Sequence, residues 1–450
     1  MTTQVWAITY AQNATGIFQP FLDSLKTYRR ERRARLVVIK GRYKNPTSQW
    51  SAQNQDHEWW DSALDPYLAD HRHAFSENLI CYADVKIQPT NRRPLNGYEV
   101  FAGQASGIFG HTTRALECIP TAKRMPRVLA TTGAITVPNY VDSRAGKLAE
   151  AHHIFGALIV ELHDNGRYHM RHVTACRDGS FTDLDRVYTP TGSHKAPPAL
   201  ALVPGDIHVR LEDKQATAAF EDAMRRLRPL NTAYHDVFNM SVRGHHVSKS
   251  FKTRHAQAGL LVRDEVQEAV EWVDERGRRF PDTKHHVIPS NHHDHLDKWL
   301  EEYVEKNDQL NSEFYHWCKH RMYEEYDAAQ DKFPGALELC ARDMSDRTNV
   351  HYLDQDEPLT IEDVELGFHG HIGTNGARPG KNTYAALGVK SITAHTHVAW
   401  IRDGNFNPGV LGRLNQGYNH LPSGWIQGMV PMYADLKRCV LLIIEGEYHG

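Results

Sequence analysis

Apolar and polar positions fall into blocks from the start of the chain. VWAITYA opens as an apolar strand, residues 18–34 suit a helix, and RLVVIKG forms a second buried strand. That strand–helix–strand order predicts an α/β layer. ENLICYADVKI and RVLATTGAITV predict further strands. HIFGALIVEL and RYHMRHVTA flank Asp164-Asn165-Gly166, the strongest short hairpin signal in the chain. TPTGSHKAPP at 189–198 combines turn formers with prolines, and the domain boundary is drawn there. Residues 1–194 then form a separate N-terminal α/β domain, and 195–450 a second domain.

Beyond the boundary, ALALVPGDIHVR is an apolar run ending in Gly-Asp. Residues 213–228 suit a helix stopped by Pro229, and 260–276 suit another. LRPLNTAY, between them, is only weakly apolar, so no strong strand is expected there. HHVIPSNHHD reads as a strand running into a polar loop, and 294–306 and 311–330 read as charged helices. VELGFHGH, KSITAHTHVAW and CVLLIIEGEY make the end of the chain strand-rich.

The 450 residues leave room for two or three domains, and no run of 18 apolar residues is present to span a bilayer. MTTQVWAITYAQ lacks the basic-then-apolar order of a secretory leader, so a cytoplasmic protein is expected. Cys81, Cys118, Cys176, Cys318, Cys340 and Cys439 are scattered, the pattern of reduced buried thiols. Charge is uneven. Through Lys195 there are 24 Lys and Arg against 18 Asp and Glu; after it, 28 against 37. An acidic half suits divalent cations; a mildly basic half can face a polyanion or simply be solvated. Histidine is the outlier, at 29 residues. Only position separates metal-binding histidines from idle ones.

Five short pieces, most of them after apolar strands, concentrate that histidine. They are Gly205-Asp206-Ile207-His208, His235-Asp236-Val237-Phe238-Asn239, Ser290-Asn291-His292-His293-Asp294, Phe368-His369-Gly370-His371 and Ala394-His395-Thr396-His397. An Asp and a His two apart at a strand end can grip one cation from the same side. Oxygen and imidazole donors without thiolate suit manganese, iron, zinc or nickel. Ligand sites of layered α/β folds lie at the carboxyl ends of strands, where these pieces fall.

In these residues the chain resembles the calcineurin-like metallophosphoesterase superfamily, whose pattern runs D-x-H, G-D, G-N-H-[DE], H and G-H-x-H. Asn407-Pro408-Gly409, after the Asp403-Gly404-Asn405 turn, adds a further echo. The style of the second motif, and the unusual N-terminal domain, resemble the phage-encoded DNase branch seen in T5-like bacteriophages. The resemblance covers about 195–450 and implies a four-layer α/β sandwich, two sheets covered by helices. It assigns one divalent ion to Asp206, His208, Asp236 and His397, and a second to Asp236, Asn291, His369 and His395. Asp236 bridges. His292 stands over the phosphate as a charge stabiliser or proton donor, with Asp294 tied to it or to its loop. The implied chemistry is a two-metal phosphodiester hydrolysis with manganese as the expected ion, DNA as the expected partner and the host cytoplasm as its place.

The departures from the pattern matter. The second motif has His235 where Gly is usual, the third has Ser290 for Gly and an inserted His293, and the fifth has Ala394 for Gly. In the fourth, His371 rivals His369. Arg243, His245 and His246 beside the second motif, and Arg378 and Lys381 in GTNGARPGK, are candidate substrate contacts, with solvated loops as the alternative. His316 and His320 lack a third ligand and read as surface residues. Besides a DNase, two functions stay open: a phosphodiesterase for small or cyclic nucleotides, and a non-catalytic binding protein that keeps the fold.

Overall fold

The computed structural model describes residues 3–43, 59–244, 251–377, 379–380, 383–417, 419 and 422–450. The chain is a mixed α/β protein, and no helix among the described residues is long and apolar enough to cross a membrane. The N-terminal pattern folds much as its periodicity predicts. Strand Thr3–Ala11 pairs in parallel with Arg35–Lys40 through helix Gln19–Arg32, which starts at a proline and ends on left-handed Arg33. The Asp164-Asn165-Gly166 turn joins Gly156–His163 to Tyr168–Thr174 in antiparallel register, and Gly166 takes φ 79°. These strands, with Leu68–Ala69, make a five-stranded sheet.

The sheet that carries most of the chemistry has six strands, in the order Val350–Tyr352, Lys284–Val287, Asn231–Tyr234, Ala201–Pro204, Gln427–Met432, Leu441–Ile443. The first four run parallel, so their carboxyl ends open on one edge. Helix Lys214–Leu227 links two of them. Its N-cap, Asp213, accepts from Gln215 N and Ala216 N at 3.0 and 3.1 Å, and Arg228 closes it in the left-handed region just before Pro229. Ala216, Ala219, Phe220, Ala223, Met224 and Leu227 form its buried face.

One expectation is corrected. The weakly apolar LRPLNTAY holds a central strand, Asn231–Tyr234, whose Thr232, Ala233 and Tyr234 are fully buried. Its polar atoms are satisfied sideways. Thr232 Oγ1 donates to Leu202 O at 2.7 Å, Asn231 Nδ2 donates to Leu200 O at 3.0 Å, and Tyr234 Oη meets His285 Nδ1 at 2.9 Å. A paired polar group costs little to bury, so the strand needs no apolar run.

Main-chain pairing crosses the boundary drawn at 194/195. A seven-stranded sheet runs Asn405–Asn407, Trp400–Arg402, Leu116–Ile119, Arg127–Thr131, Ser106–Phe109, Leu79–Cys81, His73–Ser76. Trp400 pairs with Glu117 and Ile401 with Leu116. One apolar cluster likewise joins Ile8, Tyr10 and Val160 to Leu366, Phe406 and Val430.

Candidate metal centre

Backbone contacts bring the five motifs together. Ala201–Pro204 ends at Gly205, where a Cβ would lie 2.5 Å from the Val410 main chain; only glycine lets the 409–410 segment approach. Asp206 O then accepts from Leu411 N at 2.7 Å. Ile207 N and His208 N donate to His235 O and Asp236 O at 3.1 and 2.7 Å, zipping the first motif to the second. The fourth and fifth motifs follow the short parallel pair Val364–Glu365 and Lys390–Ser391, and Ala394 N donates to His369 O at 2.8 Å. Asn407 Nδ2 donates to Ala394 O at 2.6 Å while its Oδ1 accepts from Gly409 N at 2.9 Å, so Asn407-Pro408-Gly409 clamps the fifth motif to the first. Behind the second motif, Glu265 accepts from Ser241 N, Ser241 Oγ and Val242 N.

The side chains converge accordingly. Ligand atoms of Asp206, His208, Asp236 and His397, all buried, lie within 4.8 Å of one another. His397 Nε2 is 3.0 Å from Asp206 Oδ2 and 3.1 Å from His208 Nε2. On the other side, His369 Nε2 is 3.0 Å from Asn291 Oδ1 and 3.4 Å from Asp236 Oδ2. Asp236 Oδ2 also lies 3.9 Å from His208 Nε2 and so stands between the two groups. His395 flanks the second, its ring 5.2 Å from that of His369. His371 lies 5.2 Å from the His369 ring, so it is His369 that meets Asp236.

A divalent cation fits this donor set. Asp206 Oδ1 is buried without a hydrogen-bond partner, and the contacts that reach Asp206 Oδ2 and Asp236 Oδ2 come from imidazoles, His397 on the first and His369 and His208 on the second. Among the described residues no Lys or Arg pairs with either carboxylate. Two buried, uncompensated carboxylates are costly unless a cation neutralises them. Burial, offset in part by His397, pushes Asp206 up to about 6. Burial acts the same way on Asp236; positive charge on His369, His292 and His208 would outweigh it and hold that carboxyl well below the usual range, and a cation supplies the same charge when the imidazoles are neutral. Burial also lowers His208 and His369 strongly and takes His395 down to about 4, which keeps these imidazoles neutral, the metal-ligating form.

The backbone is strained where the ligands sit. His208, Asp236, His395 and His397 have φ of 51°, 48°, 69° and 55°, in the left-handed region that disfavours side chains by roughly 1–2 kcal/mol per residue. Strain held at four residues of one site is a mark of functional constraint.

The other sequence-predicted residues fall around this centre. The His292 ring lies 4.9 Å from that of His208, with Nδ1 3.5 Å from Asn239 O. Asp294 N donates to Ser290 O of the His292 loop at 3.2 Å, while its Oδ1 accepts from Gln355 Nε2 at 2.9 Å, so the carboxylate itself reaches the 354–358 segment and not His292. The inserted His293 is buried with Nδ1 2.8 Å from Glu338 Oε1, a structural anchor to helix Ala336–Met344. Arg243 is held by Asp308 through Nε and Nη2 at 2.8 and 3.1 Å and also donates to Val242 O and Gln257 O. His245, His246, Arg378 and Lys381 lie outside the described residues. Two further side chains join the site: His235, buried with its ring 5.6 Å from that of His369, and Trp425, which packs edge-on against His397 at 4.2 Å. His235 was visible only as the residue replacing the motif's glycine; Trp425 carries no local signal.

Protein A1 of Escherichia phage T5 is 32% identical to the chain over 464 aligned positions, covering 98% of this chain and 82% of the phage protein. The chain belongs to the Protein A1 family. The likeness runs over nearly the whole chain and is not confined to the part that carries the candidate metal centre. The chain matches no protein-family model and no solved structure.

Proposed function

We propose that this member of the Protein A1 family is a divalent-metal-dependent phosphodiesterase of the calcineurin-like type that hydrolyses DNA. The observation that carries the reading is Asp236, buried with its Oδ2 between His208 and His369 and with no Lys or Arg among the described residues against it. One carboxylate between two histidine-rich groups is the arrangement that a pair of cations requires. Motifs that follow the parallel strands of one sheet and the short Val364–Glu365 and Lys390–Ser391 pair of another are in keeping with the two-sheet sandwich of that superfamily.

When bound, two divalent cations lower the pKa of water and neutralise charge on a phosphoryl group. The chain's residues do the rest. Asp206, His208, Asp236 and His397 would hold one ion, and Asp236, Asn291, His369 and His395 the other. Neutral imidazoles leave two carboxylates to balance the charge. His292, beside His208 but outside the ligand set, holds a proton for the departing oxygen.

Purified protein should contain two divalent ions per chain by elemental analysis. After chelation, manganese should restore cleavage of plasmid DNA best, since the donors are all nitrogen and oxygen. Absence of metal, with no gain on adding manganese, sinks the reading. Cleavage of a chromogenic phosphodiester but not of DNA would move the substrate to small nucleotides.

A further inference from the structure

A cavity of about 460 Å³ opens directly beside His369 and Asp294. Its walls are of two kinds. One is apolar: Phe368, Ile372 and Leu387 are 39%, 58% and 48% exposed, and Phe368 stacks on buried Tyr384 at 5.6 Å and 23°. Tyr384 is fixed there by donating its hydroxyl to Ile372 O at 3.2 Å. The other is acidic, made by Asp294, Asp354, Asp356 and Glu357, of which Asp354 pairs with Arg342 at 2.8 Å and Asp356 with Lys332 at 3.1 Å behind the wall. No lysine or arginine among the described residues lines the cavity.

That lining selects its occupant. Asp294 and Glu357 remain without a cation of their own among the described residues, and this surplus negative charge disfavours phosphate in the space. They accept hydrogen bonds, so the occupant carries donors. A stacked aromatic face next to exposed aliphatic side chains favours a flat ring. The volume lies in the range of pockets that take small organic groups, ~300–1,000 Å³. A nucleobase with an exocyclic amino group meets each condition, and a metal ligand at the rim sets its distance from the centre. We infer that this cavity receives the base of a nucleotide whose phosphodiester lies at the metal centre, with Phe368 as its stacking surface. The inference rests on the phosphodiesterase reading and adds that the enzyme grips a base that has left its stack, as in single-stranded or locally opened DNA.

The test compares a single-stranded oligodeoxynucleotide rich in adenine with one of equal length whose linkages are abasic, both cut by the full chain in manganese. The wild type should prefer the base-bearing strand in kcat/KM. Phe368→Ala should lower kcat/KM on that strand by about 5- to 150-fold, the size of a base–aromatic stack, and narrow the preference. Phe368→Trp should keep it, which separates a lost stack from a damaged fold. Equal cleavage of both strands by the wild type, or an unchanged preference in Phe368→Ala, overturns the base pocket while leaving the phosphodiesterase in place. Cleavage of neither strand by the wild type overturns the phosphodiesterase and the pocket with it.

Discussion

Asp236 carries more of the site than any other side chain. It is buried, backbone-strained at φ 48°, and placed between two groups of donors. Asp236→Asn keeps the shape and removes the charge. The variant should fold, with an unchanged circular dichroism spectrum, yet lose metal at both positions and most of its activity; near-normal turnover would show that another group occupies the centre. Asn291 and His292 are neighbours in sequence with different surroundings. Asn291 Oδ1 lies 3.0 Å from His369 Nε2, whereas the His292 ring stands off His208. Asn291→Ala should therefore lose one metal ion. His292→Ala should keep both and lower kcat by about 100- to 10,000-fold, the usual range for a lost proton donor. Metal analysis alongside kinetics separates the two, and an emptied site in His292→Ala would make that residue a ligand.

Elements matter here through the loops they hold together. Asn407 bonds Ala394 O and Gly409 N, so it fixes the fifth motif relative to the first without touching a ligand. Asn407→Ala leaves Gly409 N unpaired in a buried place and takes from Ala394 O one of its two donors, the other being Thr396 N at 2.8 Å. Thermal unfolding should register a loss of about 1–3 kcal/mol, and metal affinity should fall in parallel. Intact metal affinity in the destabilised variant would confine Asn407 to the fold. Elements with local punctuation were legible in the sequence. Helix Lys214–Leu227 sits within a residue of its expected span because Asp213 and Pro229 mark both ends. Asn231–Tyr234 was not legible, because what makes it a strand is the pairing of Thr232 and Tyr234 with residues about 30 and 50 positions away. The longer strands expected in VELGFHGH and KSITAHTHVAW shrink to Val364–Glu365 and Lys390–Ser391, since their remaining residues turn to present histidines. The centre could be read because short motifs follow strand ends. The cavity beside it could not, since its walls come from loops around 354–358, 367–374 and 384–387.

Across the whole molecule, buried charge ties the first sheet to the end of the chain. Arg171 grips Glu161 at 2.8 and 3.1 Å and Asp183 at 2.5 and 2.9 Å, and Gly450 N donates to Glu161 at 2.7 Å. Burial alone would raise the Glu161 carboxyl; Arg171 outweighs it and brings the group down to about 2. A carboxylate depressed in the folded state stabilises above its ordinary value and ceases to do so as pH falls through the folded one. Stability should thus decline as pH falls from about 4.5 towards 2. Glu161→Gln should flatten that decline and cost about 3–5 kcal/mol at neutral pH, because Arg171 loses a buried partner. Denaturant unfolding at several pH values checks both, and a decline as steep as the wild type's would place the acid sensitivity elsewhere. The seven-stranded sheet has another consequence, one that concerns synthesis. Strand Leu116–Ile119 is completed by Trp400–Arg402, which leaves the ribosome roughly 280 residues later, about 15–60 s at bacterial elongation rates. Until then its edge stands open. His395 and His397 emerge only just ahead of that strand, so a chain still being made lacks part of its ligand set. The cluster of Asp206, His208, Asp236 and His397 is therefore assembled only after residue 397 has been made, about 190 residues behind its first member.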